Sequence, residues 1–200
     1  MKKITLLIAL LITTSVAFCQ TFMHGAGVTV LVASSKGSDV TVAEGVTYFP
    51  RFNFLETEAL SFSVDIPLSI GISASTSIYS SNSGGYYSEP ASVGFVANVP
   101  LIFNLNMGRG ATKDNSDRYG YFVGAGFGYH HGDFITTQTD GNGYEYSGNK
   151  SINSFGPAAN AGFRIGVGNA HRNIEIRLSY MKGLNENKAS LFGLAGSFNF

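Results

Sequence analysis

The chain has 200 residues, and its 13 Lys and Arg residues balance 13 Asp and Glu residues, so its formal net charge is zero. A nucleic-acid-binding protein needs surplus positive charge to displace counterions from phosphates, so no nucleic-acid partner is expected. Hydrophobic residues make up 44% and aromatic residues 13% of the chain, far more than an intrinsically disordered protein contains. A single cysteine excludes a disulfide framework and a cysteine-based zinc site.

The N-terminal segment has the layout of a secretory signal peptide. A positive MKK is followed by a mostly apolar stretch up to Phe18, and Ala17 and Cys19 stand where a small-x-small cleavage site requires small residues. We predict a signal peptide over residues 1–19 and one domain over residues 20–200. The alternative is a lipoprotein with a lipid on Cys19, although the residue before such a cysteine is normally small and here it is Phe18.

Beyond residue 20, apolar residues alternate with polar or small residues at a period of two, which is typical of β-strands. In several segments this alternation lasts 11 to 14 residues, about twice a globular strand and close to the ~9–11 residues that cross a bilayer at a tilt. In chain order the apolar positions run along eight segments: Val28–Val32, Val46–Phe54, Leu60–Ile72, Val93–Leu105, Tyr119–Tyr129, Phe155–Val167, Ile174–Tyr180 and Phe192–Phe200.

The connections between these segments are unequal in length. If the chain starts in the periplasm, the two longest, TSIYSSNSGGYYSEP and TTQTDGNGYEYSGNK, lie on the outer side, as in transmembrane barrels. One inner connection, from Asn106 to Arg118, has thirteen residues where a tight turn is expected. Two interpretations of the outer connections stay open, a surface for an extracellular partner or solvated loops. Their tyrosines are Tyr79, Tyr86, Tyr87, Tyr144 and Tyr146.

The alternation predicts an all-β fold, an eight-stranded antiparallel up-and-down transmembrane β-barrel. Hydrocarbon offers no hydrogen-bond partner, so spanning strands must close into a ring, and eight strands enclose an interior that side chains fill. Charged residues on the minor face are expected to meet inside and pair, because isolated charges there are costly to desolvate. We interpret them as a structural ion-pair network, with a proton or ion path as the alternative: Arg51, Asp65, Arg164, Glu175 and Arg177.

The chain also resembles a known family. The signal peptide, the long alternating segments, the glycines of the inner face and a final LFGLAGSFNF resemble the small outer membrane β-barrel proteins of Gram-negative bacteria, the OmpA/OmpX-like family. The resemblance implies a location in the lipid bilayer of the outer membrane. It also implies that the barrel assembly machinery recognises the C-terminal strand through Phe198 and Phe200. The family hosts unrelated functions, so the resemblance supports the fold more than an activity.

A second group of candidate residues, His130, His131 and Asp133, ends the fifth segment. A histidine beside a carboxylate can act as a general base, but no nucleophile is fixed by spacing, and adjacent strand residues point to opposite faces, which disfavours a metal site. We therefore predict no enzyme, no metal and no cofactor, and a structural or surface-interaction role with a plugged lumen. The alternatives are a small outer-membrane hydrolase or acyltransferase, and a secreted soluble barrel with its apolar face turned inward around a small ligand.

Overall fold

The structure is a computed structural model, and it describes residues 21–35, 40–75, 78–80, 86–88, 92–139, 145–168, 172–185 and 189–200. The predicted signal peptide, Cys19 included, lies outside the described residues. No helix in the described ranges is long and apolar enough to cross a membrane. The strands within these ranges are β1 (Thr21–Ser34), β2 (Thr41–Phe54), β3 (Leu60–Asp65), β4 (Leu68–Ser75), β5 (Ile78–Ser80), β6 (Tyr86–Ser88), β7 (Ser92–Gly108), β8 (Tyr119–Thr139), β9 (Glu145–Gly166), β10 (Asn173–Lys182) and β11 (Ser190–Asn199).

The strands close into one antiparallel ring. β1 pairs with β2 on one side and with β11 on the other, and β10, β9, β8 and β7 follow around the wall. β3 and β4 share the position between β2 and β7, and the register with β2 is the same on both sides of Pro67. They are two halves of one strand, interrupted where Pro67 has no N–H to donate. The predicted eight-stranded up-and-down barrel is confirmed.

Side chains along the wall alternate between the lumen and the outside. Outward positions hold Val, Ile, Leu, Phe and Tyr, and several are more than half exposed, such as Ile72 at 65% and Leu178 at 61%. Their inward neighbours Ser73 and Arg177 are buried. The predicted facing is confirmed, and an apolar belt surrounds the barrel. The secreted soluble barrel requires the opposite facing, because an apolar belt of this extent is unfavourable in water.

The lumen is divided into layers along the barrel axis. We call the end that holds Thr21 and Phe200 the inner end and the opposite end the outer end. Toward the inner end most buried side chains are polar or charged, although Met23, Phe49 and Phe122 are also buried there. Toward the outer end they form an apolar cluster, a layer that the sequence does not predict because its members lie partly outside the alternating segments: Leu31, Ala33, Ala43, Val96, Ile102, Ile152, Ala158, Met181, Ala189 and Leu191.

The prediction that TTQTDGNGYEYSGNK is an outer loop is wrong, because most of this segment is strand. β8 and β9 stay paired out to Thr139 and Glu145, whereas the pairing of β8 with β7 ends at Gly132. The added residues are mostly polar on both faces, so the hydrophobic period of two that marks a strand is missing there. Another predicted loop contains the short hairpin of β5 and β6. The barrel wall thus continues at its outer end as a long two-stranded hairpin.

Candidate functional site

The structure brings together the five charged residues that the sequence predicts for the lumen. All five face inward, and each is between 0 and 4% exposed. Arg51 on β2 lies opposite Asp65 on β3, and Arg164 on β9 lies opposite Glu175 on β10. Arg177 follows two residues after Glu175 and therefore shares its face. Four strands, β2, β3, β9 and β10, thus direct charged side chains toward one region of the lumen, and we call these five residues the charged cluster.

Glu175 is the centre of the charged cluster. Its Oε2 accepts a hydrogen bond of 2.7 Å from Arg164 Nε, and its Oε1 accepts one of 2.9 Å from Arg177 Nε. Arg51 Nη1 lies 4.0 Å from Oε2, and Asn199 Nδ2 donates to the same oxygen at 3.2 Å. One carboxylate therefore contacts all three guanidinium groups, which spreads its negative charge over side chains from three strands.

Asp65 joins the charged cluster from the opposite wall. Arg177 Nη2 donates to Asp65 Oδ2 at 3.2 Å, and the hydroxyl of Ser63 donates to Asp65 Oδ1 at 2.7 Å. The ion pair of Asp65 is therefore formed across the lumen, although Arg51 is its neighbour in the strand register. This cross-lumen pair ties β3 to β10.

Two buried aromatic rings pack against the guanidinium groups. Arg177 Cζ lies 4.7 Å from the ring centre of Phe49 and 4.9 Å from that of Phe122, and Arg164 Cζ lies 4.3 Å from the Phe122 ring. Desolvated cation–π contacts of this kind contribute about 2 kcal/mol. Neither ring is among the residues that the sequence predicts for the cluster. The sequence feature that could have predicted them is their position on the inward face, where most other residues are glycine or polar.

The long inner connection folds into the inner mouth of the barrel. The carbonyl of Gly110 accepts a hydrogen bond of 3.1 Å from Arg51 Nη2, and the carbonyl of Ala111 accepts one of 2.7 Å from Asn53 Nδ2. Ala111 is completely buried, and Arg109 is 4% exposed. The extra length of this connection thus places three residues beneath the charged cluster, which accounts for its departure from a tight turn.

Glycine is required at one point of this inward fold. Gly110 has a φ of +75°, a left-handed conformation that other residues adopt at a cost. A Cβ atom at this position would lie 3.0 Å from Arg164 Cδ. The backbone of the connection can therefore approach the guanidinium groups closely only because residue 110 has no side chain.

At the outer end, the two adjacent histidines point to opposite sides of the wall. His130 is completely buried, whereas His131 is partly exposed on the outside. His131 Nδ1 lies 2.7 Å from Asn153 Oδ1, and the hydroxyl of Tyr129 donates to the same oxygen at 2.8 Å. Among the described residues no group of three His, Cys, Asp or Glu side chains is placed to hold a metal ion.

Asp133, the third of the candidate residues at this rim, is hydrogen-bonded along the wall. It accepts hydrogen bonds from the hydroxyl of Ser151 and, at 3.0 Å, from the backbone N–H of Phe95. Ser151 therefore donates to a carboxylate, whereas a hydrolase needs a serine that donates to an imidazole. These contacts give no support to the hydrolase or acyltransferase alternative.

The two C-terminal phenylalanines lie on the outside of the inner end. Phe198 is 39% and Phe200 is 43% exposed, and their ring centres are 6.3 Å apart. The N–H of Phe200 donates to the carbonyl of His24 at 3.0 Å. The ring centres of Phe200 and His24 lie 4.4 Å apart. The end of the chain is thus attached to the first strand, with both phenylalanine rings available at the surface.

The tyrosine-rich connections are described only in part. Tyr79 pairs with Tyr87 in the backbone register of β5 and β6, and Tyr146 belongs to β9. Tyr144 lies outside the described residues. The outer hairpins therefore carry most of these tyrosines.

A scan against protein-family models and a search of curated proteins found no match. Solved structures match along almost the whole length. Ail, the attachment invasion locus protein of Yersinia pestis, is 10% identical, with 90% of this chain and 98% of that chain covered and a TM-score of 0.51. Neisserial surface protein A is 15% identical, with 90% and 97% covered and a TM-score of 0.50. The chain therefore has the fold of the small outer membrane β-barrel proteins.

Proposed function

We propose that this chain is an integral protein of the outer membrane, with a closed lumen and a structural or surface-interaction role rather than an enzymatic one. One observation carries the proposal: the strands form a closed ring whose outer face is an apolar belt and whose interior holds buried charged residues. A closed ring leaves no backbone group of the wall unpaired in hydrocarbon, and the belt matches the lipid tails. The predicted signal peptide is consistent with export to this membrane.

The closed lumen rests on three successive layers of side chains and backbone. Gly110 and Ala111 lie in the inner mouth, hydrogen-bonded to Arg51 and Asn53. The charged cluster follows, and the apolar cluster lies above it. A continuous water path would have to separate ion pairs and then pass an apolar layer, so an eight-stranded barrel of this composition should conduct little.

The surface-interaction role rests on the outer end of the barrel. β8 and β9 extend well beyond the pairing with their neighbours, and β5 and β6 form a second hairpin. Tyrosines among small polar residues supply contact area with little loss of conformational entropy, as in other binding loops. One of the similar structures is described as an attachment invasion locus protein. A partner at the cell surface is therefore part of the proposal.

Assembly of the barrel is proposed to depend on the C-terminal strand. Phe198 and Phe200 both present exposed rings at the inner end, on the side from which a periplasmic factor would approach. The barrel assembly machinery is the partner that the resemblance to the OmpA/OmpX-like family implies.

Fractionation of cells and planar-bilayer recording test this proposal. We expect the protein in the outer membrane fraction, resistant to extraction by high salt, and the purified protein should show no large steady conductance. Recovery of the folded chain in the soluble fraction would refute the membrane location. Stable single-channel steps from the wild-type chain would refute the closed lumen. Hydrolysis of a lipid or ester substrate that a Ser151→Ala variant abolishes would replace the proposed role with the enzymatic alternative.

A further inference from the structure

The buried charges of the lumen do not balance. Within the charged cluster, three guanidinium groups face two carboxylates. One more arginine, Arg109, is buried nearby; the carbonyls of Asn115 and Arg172 accept its hydrogen bonds, and its charge adds to the excess of positive charge in the lumen. Guanidinium groups stay charged in proteins, and a buried charge without a counter-charge is strongly disfavoured. The charged cluster therefore carries one surplus positive charge that calls for an anion.

The same region holds polar atoms that lack a hydrogen-bond partner in the described part of the chain. Among them are Arg177 Nη1, Arg164 Nη2 and both Nε and Nη1 of Arg51. The side-chain amide of Asn160 is buried with neither its nitrogen nor its oxygen bonded. Buried donors are nearly always satisfied, by protein, water or ion. Of these donors, Arg177 Nη1 and Asn160 Nδ2 belong to residues that line one cavity, and they indicate an acceptor there.

A cavity next to the charged cluster offers the space for it. The cavity has a volume of about 30 Å³, and its lining includes Arg177, Asn98 and Asn160 together with apolar side chains such as Leu31 and Met181. Four hydroxyl side chains complete its polar lining: Thr29, Thr47, Ser69 and Ser179. Both asparagines are more than nine-tenths buried. Because a water molecule needs roughly 10–15 Å³ of such volume, the cavity holds one or two species of that size.

We propose that this cavity binds one small monovalent anion, and that chloride is its occupant. The Nη1 group of Arg177 and the Nδ2 group of Asn160 donate hydrogen bonds to the ion, and its single negative charge compensates the surplus of the charged cluster. A single negative charge matches the surplus of one, which disfavours divalent sulfate and hydrogen phosphate. The apolar side chains in the lining offer no hydrogen bonds in place of hydration water, which favours a weakly hydrated halide.

Anomalous diffraction from crystals of the full chain grown in sodium bromide tests the site directly. Bromide replaces chloride and is identified at its absorption edge. We expect one anomalous peak inside the barrel, within hydrogen-bond distance of Arg177 and Asn160. Peaks only at the protein surface, an adventitious ion only, would overturn the proposal, as would ordered water without anomalous signal in the cavity.

Thermal unfolding in detergent provides the second readout. At constant ionic strength, replacing gluconate with chloride should raise the unfolding temperature of the wild-type protein, because a ligand that binds only the folded state stabilises it. Asn160→Leu removes a donor and fills the cavity, so its unfolding temperature should not respond to chloride. Asn104→Leu is the matched control, since Asn104 is also buried with an unbonded amide but does not line the cavity. A wild-type protein that does not respond, or an Asn160→Leu variant that does, would refute the site.

Discussion

Replacing Glu175 with glutamine is the most direct test of the charged cluster. The substitution keeps the size of the side chain and removes the one negative charge that touches Arg164, Arg177 and Arg51. Breaking a buried ion pair by removing one partner costs about 3–5 kcal/mol. Because folded proteins are stable by only about 5–15 kcal/mol, this loss should be visible as a large shift in the denaturation midpoint.

The geometry refines this magnitude. A glutamine can still accept one hydrogen bond through its carbonyl oxygen, but its amide group must then face the second guanidinium, donor against donor. Arg164 retains Asn106 at 3.0 Å and Arg177 retains Asp65 at 3.2 Å, so neither guanidinium becomes fully unpaired. We therefore expect a loss near the lower limit, about 3 kcal/mol.

Urea unfolding in lipid vesicles, followed by heat-modifiable gel mobility, measures this free energy. Glu58→Gln is the matched control, since Glu58 is an exposed glutamate in the turn between β2 and β3 and its loss should change stability by less than about 0.5 kcal/mol. The Glu175→Gln/Arg164→Met double variant should lose less unfolding free energy than the two single variants added together. The difference should be about 0.5–3 kcal/mol, because the two side chains interact. A Glu175→Gln variant as stable as the Glu58→Gln control would show that the charged cluster does not stabilise the barrel.

Three further predictions concern the wall, the inner mouth and assembly. Val123→Arg should destabilise the barrel in lipid by about 2–4 kcal/mol, measured by urea unfolding, and Val123→Leu should be nearly neutral; equal effects would refute lipid contact. Gly110→Ala should cost about 1–3 kcal/mol because of its left-handed backbone, whereas Gly196→Ala, with no atom near its added Cβ, should cost much less. Deleting Phe200 should lower the amount of folded protein in cells but not refolding into detergent; equal losses in the two would show that the residue is only structural.

The alternation predicted the ring and the facing of its side chains because a strand has a period of two regardless of what surrounds it. Parity alone placed Arg51, Asp65 and Glu175 inside. Parity does not predict the position of each side chain along the barrel axis, which depends on the tilt of the strands. That position decides which residues come into contact. Asp65 and Arg177 are 112 residues apart in the chain, and their contact across the lumen depends on the stagger of the whole ring.

Other parts of the site depend on backbone rather than on side-chain pattern. The contact of Arg51 with the carbonyl of Gly110 uses an atom that every residue has, so the sequence carries no specific mark of it. Only the glycine and the unusual length of the connection hint at the inward fold. The extensions of β8 and β9 were missed because they lack the alternation of apolar and polar residues. A strand with neither a membrane nor a core against one face needs no apolar face.

The cross-lumen pair of Asp65 and Arg177 has a consequence for the order of folding. Asp65 belongs to the N-terminal third of the chain and Arg177 to the last hairpin, and the wall between them must be curved before the two side chains can approach. A partly assembled sheet leaves the Asp65–Arg177 and Arg51–Glu175 pairs unformed, and the unpaired charges make insertion into the membrane costly. The ring closes when β1 pairs with β11. This last step brings the charged side chains together and removes the cost of inserting them. Intermediates in which the seam is open should therefore remain at the interface, and entry into the hydrocarbon should coincide with closure.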